Sequence, residues 1–196
     1  IYMFALVQDG SITKHLSGNR GITLGDIQYP RAIYTLWSTA EREAKGIYEI
    51  VFDNSNKRDE KYYNNTNQSF AFADGVVTAS YGSATANALA DVTNEDDSIT
   101  PGLKSQHKEK IKQQASSLLT PTDWQVIKAT EVESYSVPSA ITTYRANVRT
   151  KSNDMEVLID ACGTVDELAT LYEYVNTGTE EVPVMERPLG EFPEAV

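Results

Sequence analysis

Two Asp-Gly pairs constrain the fold of the first half of this sequence more than any other feature. Asp9-Gly10 and Asp74-Gly75 each stand between two short segments rich in apolar and β-branched residues. An Asp-Gly pair in this setting is typical of a two-residue type I′ turn, which joins two antiparallel strands. The sequence therefore predicts two β-hairpins, with strands at residues 2–8, 11–16, 69–73 and 76–81.

The segment between the hairpins predicts one helix and one further strand. Ser38 and Glu41 have the spacing of a capping box, in which each side chain accepts a hydrogen bond from the other residue's backbone N–H. Gly46 supplies the left-handed residue that ends such a helix. Trp37, just before the helix, is predicted to be a structural anchor that holds it on the sheet. Residues 47–52 are rich in β-branched and aromatic side chains and predict a strand.

The composition changes after residue 84 and divides the chain. Residues 85–102 are dominated by small polar residues and alanine and end near a Pro-Gly pair, which is typical of a linker. Residues 103–176 carry apolar side chains at helical spacing, whereas residues 177–196 predict an extended acidic tail. We therefore predict an α+β protein: a small antiparallel β-rich N-terminal domain with one short helix (residues 1–84), then the linker and a C-terminal helical domain.

The second half predicts a series of helices. The first, over residues 104–119, has a thin apolar face, so it is expected to need a partner helix or another subunit. The second follows Thr120 and Pro121, which suit the N-cap and the first helical position. Further helices are predicted to begin near residues 138, 152 and 164.

The charge and the apolar runs disfavour two classes of partner. The net charge is −11, from 17 basic and 28 acidic residues. Nucleic acids and anionic membranes both require clustered Lys and Arg, so neither is an expected partner. No apolar run reaches the roughly 18 residues that span a bilayer, and the opening run of residues 1–7 predicts a strand and not a signal peptide. The single cysteine, Cys162, predicts a small core residue.

No motif for catalysis, cofactor binding or metal binding is present in the sequence. It contains no glycine-rich phosphate loop and no Gly-x-Ser-x-Gly motif, and His15, His107 and Cys162 lack the spacing of zinc ligands. We therefore expect no enzyme, no cofactor and no metal ion. A polysaccharide or cell-wall hydrolase is the remote alternative, because its paired carboxylates can come from distant positions in the chain.

One run in the second half carries a resemblance to a known group of proteins. Residues 118–128 are a Leu-Leu pair, then Thr-Pro-Thr-Asp-Trp, and then Gln-Val-Ile-Lys, and Pro138, Tyr144-Arg145 and Arg149 follow. This order resembles the C-terminal segment of tail-fibre and tail-fibre-assembly proteins of tailed bacteriophages. Further segments are similar to proteins of the same group, namely residues 159–168, Tyr29-Pro30, Leu36-Trp37-Ser38, Glu41-Arg42, Gly46-Ile47-Tyr48, Phe70-Ala71-Phe72 and Val76-Val77-Thr78.

The resemblance implies a protein that works through protein–protein contacts. It implies a structural component of a phage tail, namely a fibre, a fibre adaptor or a baseplate-associated protein. Its expected place is the virion, with assembly in the host cytoplasm. Its expected partners are other tail proteins, with several copies per tail or a homo-oligomer. A tail-fibre assembly chaperone is the alternative that the same resemblance leaves open.

Two sets of residues are predicted to matter. Besides Trp37, the structural anchors are Trp124, Tyr144 and Arg145, with Trp124 buried against Tyr144. Arg145 and Arg149 are expected to pair with Glu131 or Glu133 on a facing helix. The candidate partner-contact residues are Ile111, Leu118, Tyr62 and Tyr63.

Overall fold

The computed structural model describes residues 3–196, and residues 1 and 2 lie outside the described part. The start of the first predicted strand, at residue 2, therefore falls outside it. The chain forms two compact units that meet in sequence between Thr85 and Ala86. The first unit is rich in strands and the second is mostly helical, so the predicted α+β class is confirmed.

The elements of the first unit are short. Its helices are α1 (Ile33–Leu36) and α2 (Thr39–Glu43). Its strands, the last of which crosses the boundary between the units, are β1 (Phe4–Gln8), β2 (Ser11–Leu16), β3 (Ile22–Leu24), β4 (Ile27–Tyr29), β5 (Ile47–Asp53), β6 (Tyr63–Asn64), β7 (Ser69–Ala73), β8 (Val76–Ser80) and β9 (Thr85–Ala86).

A five-stranded sheet with the order β2-β1-β5-β8-β7 is the framework of the first unit. The two hairpins thus lie on either side of β5. Both Asp-Gly turns have positive φ at both residues, 50° and 74° in the first and 51° and 77° in the second, so the predicted type I′ hairpins are confirmed. The sheet is not wholly antiparallel as predicted, because β5 pairs with β8 in parallel. The strand β7 begins at the end of the sheet where β5 finishes and runs back along the sheet. The hairpin then leads into β8, which therefore runs parallel to β5.

Both faces of the sheet carry a buried cluster. One cluster joins the sheet to α1 and to the β3–β4 hairpin and contains Phe4, Leu6, Leu16, Ile22, Ile33, Tyr34 and Ile47. The cluster on the other face contains Ala5, Val7, Ile50, Val77 and Ala79. The edge strands β2 and β7 approach each other, with the ring centroids of His15 and Phe70 4.2 Å apart. The sheet therefore curls around the second cluster.

The predicted helix after Trp37 is confirmed together with its N-terminal capping box, but its C-cap is Ala44 and not Gly46, which follows two residues later. The Ser38 backbone N–H donates to Glu41 Oε2 at 2.8 Å, and the Glu41 N–H donates to Ser38 Oγ at 3.3 Å. Gly46 has a φ of +75°, and a Cβ there would overlap the Val7 carbonyl. Neither α1 nor the β3–β4 hairpin was predicted, so this unit contains two short helices and not one.

The second unit consists of helices and two small hairpins. Its helices are α3 (Leu103–Leu119), α4 (Asp123–Glu131), α5 (Ser139–Ala161) and α6 (Val165–Thr170), with a 3₁₀ turn (Thr120–Thr122) between α3 and α4. The hairpins pair β10 (Val92–Thr93) with β11 (Ile99–Thr100) and β12 (Val175–Asn176) with β13 (Met185–Glu186).

Packing of α3 against α5 builds the core of the second unit. The buried residues of α3 recur every four positions and therefore follow one side of the helix: Leu103, His107, Ile111 and Ala115. The buried residues of α5 are Tyr144, Arg145, Val148, Ser152, Met155 and Ile159. The thin face of α3 thus has its partner helix within the same chain.

One continuous helix, α5, replaces the two helices predicted from residues 138 and 152. Ser152 and Asn153 were interpreted as N-caps, but both lie inside α5. Ser152 is buried, and Met155 and Ile159 continue the spacing set by Tyr144 and Val148. A serine acts as an N-cap only where the preceding turn is not helical, and here the helix runs through.

The segment interpreted as a linker is part of the second compact unit and is held against the start of α3. The backbone N–H groups of Leu103 and Lys104 donate to the carbonyls of Ala88 and Leu89 at 2.9 and 3.0 Å. The N–H of Gly102 donates to Asp91 Oδ1 at 2.8 Å. These bonds satisfy donors that a helix N-terminus leaves without partners.

The C-terminal segment is anchored and is not simply an extended tail. Leu189 is fully buried, and its N–H donates to the Leu171 carbonyl at 3.0 Å. Phe192 packs against the cluster of Ala115, Tyr144 and Val148. The interpretation as an extended acidic tail overlooked these apolar residues between the acidic ones.

Candidate protein-interaction site

Arg145 fixes the position of α4. Its guanidinium donates to the Leu119 carbonyl at 2.8 Å, to Thr122 Oγ1 at 2.6 Å and to Asp123 Oδ1 at 2.7 Å. These acceptors lie at the end of α3, in the 3₁₀ turn and at the first residue of α4. One buried side chain therefore sets the angle at which the chain leaves α3.

The helix α4 displays its apolar side chains to solvent. No residue of α4 is buried, and Trp124 and Ile127 are 56% and 55% exposed. They are three positions apart, which places them on the same side of a helix. Val126 is also exposed, at 39%. Exposed apolar residues that cluster on one element are typical of an interaction site.

Lys128 and Tyr135 support the ring of Trp124. Lys128 Nζ lies 4.5 Å from the centroid of the Tyr135 ring and 5.9 Å from that of Trp124. The Tyr135 hydroxyl donates to Gln125 Oε1 at 3.2 Å. The Lys128 ammonium group, which lies near both rings, thus places a positive charge beside the apolar face of α4.

The predicted role of Trp124 is therefore wrong. Its expected partner, Tyr144, is buried, but it packs with Ala115 and Val148 and donates its hydroxyl proton to the Leu118 carbonyl at 3.3 Å. Arg145 turns Asp123 toward α5, and each residue along a helix is rotated by about 100° from the one before. Trp124, the next residue, consequently points outward.

The other predicted anchors are buried or half-buried, and one of them has a different partner from the one predicted. Arg145 is buried, but it pairs with Asp123 and not with Glu131 or Glu133. Trp37 is half-buried and meets Tyr29 edge-on, with ring centroids 5.6 Å apart.

The prediction of a partner contact is wrong for two of the four residues, because their side chains are buried. Ile111 is 2% exposed, since it lies on the side of α3 that packs against α5. Tyr62 is 7% exposed and follows a turn in which its N–H donates to the Asp59 carbonyl. Tyr63 is half-buried, with the Arg58 guanidinium 4.4 Å from its ring centroid. Leu118 is half-buried against the cluster that contains Tyr144.

The sequence predicted a helix after Thr120 and Pro121, but the prediction that its Trp124 faces the core was wrong. Val126 and Val137, which line a pocket beside α5, were not singled out. The contact that turns the Trp124 side of α4 outward is the ion pair between Arg145 and Asp123, which lie 22 positions apart in sequence, and this pair was not predicted. A pattern of apolar residues is the same whether its helix faces the core or a partner.

Within residues 3–196, no group of three His, Cys, Asp or Glu side chains is arranged to hold a metal ion. Burial raises the pKa of the Cys162 thiol, which favours its neutral form. Burial lowers the pKa of His107, whose ring contacts that of Tyr172 at a tilt of 55°, with the centroids 4.7 Å apart.

No helix within residues 3–196 is both long enough and apolar enough to cross a membrane. Comparison of the chain with protein-family models, with curated proteins and with solved structures finds no match.

Proposed function

We propose that this protein is a structural component of a bacteriophage tail and acts through protein–protein contacts. It is a fibre, a fibre adaptor or a baseplate-associated protein, made in the host cytoplasm and retained in the virion. The resemblance of residues 118–128 and of Tyr144-Arg145 to phage tail-fibre proteins supports this proposal. The single observation that carries the protein–protein role is the exposed Trp124–Ile127 face on a helix without buried residues.

The proposed partner is another tail protein with an apolar recess for Trp124. Tryptophan is enriched at the centres of interfaces, where few residues account for most of the binding energy. Removing the exposed parts of Trp124 and Ile127 from water stabilises a complex by roughly 25 cal/mol for each Å² of apolar surface that is buried. Lys128 lies beside these two residues and suits a carboxylate at the rim of the partner.

The contacts of Arg145 support a preformed binding surface. An ion pair holds the first residue of α4, and two further hydrogen bonds from Arg145 hold the turn that precedes it. A surface that is already ordered loses little conformational entropy when it binds. The site therefore suits a permanent assembly contact, and we propose no catalytic residue in it.

Incorporation into virions tests the proposal. Phage that carries Trp124→Ala with Ile127→Ala in this chain is compared with phage that carries Val157→Ala, which truncates an exposed apolar residue of α5. We expect mass spectrometry of purified virions to detect the wild-type and Val157→Ala chains but not the double variant. Circular dichroism of each purified chain checks that the variant folds.

The location of the wild-type chain separates the proposal from its alternative. A chain found in assembly intermediates but missing from mature virions would be a tail-fibre assembly chaperone. A chain missing from both would contradict the tail assignment altogether.

A further inference from the structure

A polar cleft lies between α3 and α5 beside the start of α4. It encloses about 500 Å³, and three cationic side chains and two carboxylates line it. Two of the cations are paired: Arg145 with Asp123 at 2.7 Å, and Lys112 with Glu156 at 3.5 Å. The third, Arg149, has no ion-pair partner within residues 3–196 and makes only a long hydrogen bond to the Arg145 carbonyl. The cleft thus has one uncompensated positive charge in a chain of net charge −11.

A smaller, more apolar pocket adjoins the cleft. It encloses about 280 Å³ and is lined by Val126, Val137 and Thr142 together with Arg145 and Arg149. Both arginines line the cleft as well, so the two recesses are neighbours. A ligand that places a carboxylate at Arg149 can therefore place an apolar side chain between Val126 and Val137.

The β12–β13 hairpin of the same chain has the complementary chemistry. Residues 173–186 are all exposed, and they contain four Glu and no Lys, Arg or His. In the loop of the hairpin, Glu180 and Glu181 are followed directly by Val182, which is 67% exposed. The loop thus carries acidic side chains directly beside an apolar one. In the same way, the cleft carries the Arg149 guanidinium directly beside the apolar pocket.

The base of this hairpin is fixed while its loop projects into solvent. Just after β13, the Arg187 guanidinium lies 5.9 and 5.8 Å from the ring centroids of Tyr172 and Tyr174 and pairs with Glu191 at 2.7 Å. Leu189 then inserts into the core of the unit. Because the loop is exposed, it does not occupy the cleft of its own chain and is accessible to another copy.

We propose that the hairpin loop of one copy docks into the cleft of a second copy of this chain. Glu180 or Glu181 pairs with Arg149, and Val182 fills the pocket between Val126 and Val137. Because the two surfaces differ, the contact is head-to-tail, and its repetition generates a ring or a filament. The inference rests on the proposed function for its setting, several copies in one tail, but it is tested on the purified chain alone.

Self-association of the purified full-length chain is the first test. Sedimentation velocity over a series of concentrations is expected to show a mass that rises with concentration and falls with added salt, because salt screens the ion pair. Arg149→Glu is expected to weaken association by about tenfold or more, since it places like charges in contact. The matched control is Arg20→Glu, the same change at an exposed arginine of the first unit, and it should leave association unchanged.

Mixing two defective variants tests the head-to-tail geometry. Arg149→Glu damages the cleft and keeps the hairpin, whereas Glu180→Gln with Glu181→Gln damages the hairpin and keeps the cleft. Each variant alone is expected to associate weakly. Their equimolar mixture retains one intact pair of surfaces and is expected to stop at a heterodimer, whereas the wild type continues to larger assemblies.

Three results would overturn the inference: a chain that is monomeric at every concentration, association that Arg149→Glu leaves intact, or a mixture that associates no better than its components. None of them bears on virion incorporation through the Trp124 face. Conversely, loss of virion incorporation in a variant that still self-associates normally would concern the Trp124 face alone and would leave this inference unchanged.

Discussion

The Arg145 guanidinium donates to three acceptors on separate elements, and one substitution removes all three bonds. In Arg145→Ala, the Leu119 carbonyl and Thr122 Oγ1 lose their donor in a buried site, whereas Asp123 is half exposed and regains water. We expect the free energy of unfolding of the second unit to fall by about 2–4 kcal/mol. Urea unfolding followed by circular dichroism measures it. Arg149→Ala, one turn along α5, is the control and should change the stability by less than about 0.5 kcal/mol.

Buried His107 makes the second unit sensitive to mild acid. Its pKa is lowered in the folded state, first by burial and then by the nearby charge of Lys110. The unfolded chain therefore binds a proton more readily, so the contribution of His107 is complete above about pH 6.5 and declines as the pH falls below it.

We expect the free energy of unfolding to drop between about pH 7 and pH 5, in the range of an ordinary histidine pKa. Urea unfolding at a series of pH values measures this drop. A His107→Gln variant should show a flatter profile over the same range. Equal slopes in the two proteins would mean that other groups cause the dependence.

Among the elements, the hairpin segment before α3 depends on one glycine. Gly102 has an ordinary φ of −75°, but a Cβ there would overlap the Ala90 carbonyl. Gly102→Ala should therefore displace residues 88–91 from the start of α3 at a cost of about 1–3 kcal/mol.

Limited proteolysis measures the effect of Gly102→Ala, since a displaced segment is cut faster. We expect faster cleavage within residues 86–101, with the helical circular dichroism signal retained. The control is Gly163→Ala, where the nearest atom to the added Cβ is a flexible Glu167 oxygen at 3.5 Å. Equal cleavage rates in the two variants would contradict the proposed role of Gly102.

Elements set by local chemistry were predictable from the sequence, and those set by distant contacts were not. The Asp-Gly turns and the Ser38–Glu41 box follow from bonds within a few residues. The continuity of α5 through Ser152 depends on packing against α3, which no local pattern reveals. The outward direction of Trp124 depends on Arg145, more than 20 positions along the chain. Trp124 was predicted as a buried anchor and not as a partner contact, so neither its exposure nor its place in the candidate site was predicted.

For the whole molecule, each unit has its own core and one tryptophan to report on it. The sequence contains two tryptophans, Trp37 in the first unit and Trp124 in the second. Ile47 and Ile159 are fully buried in the respective units. Replacing either with alanine should cost about 2–5 kcal/mol in the unit that contains it.

Fluorescence of single-tryptophan variants measures the two units separately. With Trp124→Phe as the background, Ile47→Ala should shift the Trp37 transition to lower urea, whereas Ile159→Ala should leave it in place. The reverse is expected in the Trp37→Phe background. Transitions that move together in both backgrounds would show that the units unfold as one.

The central position of β5 also determines the order in which the first unit can form. Each Asp-Gly hairpin closes a short loop and can form within about 1–10 μs. The pairings of β5 with β1 and with β8 join residues far apart in sequence and therefore form more slowly. During synthesis, β1–β2 emerges first, β5 joins it next, and an open edge of β5 remains until β7 and β8 leave the ribosome. A nascent chain whose emerged part ends between residues 53 and 76 would carry an unpaired strand edge that can join a neighbouring chain.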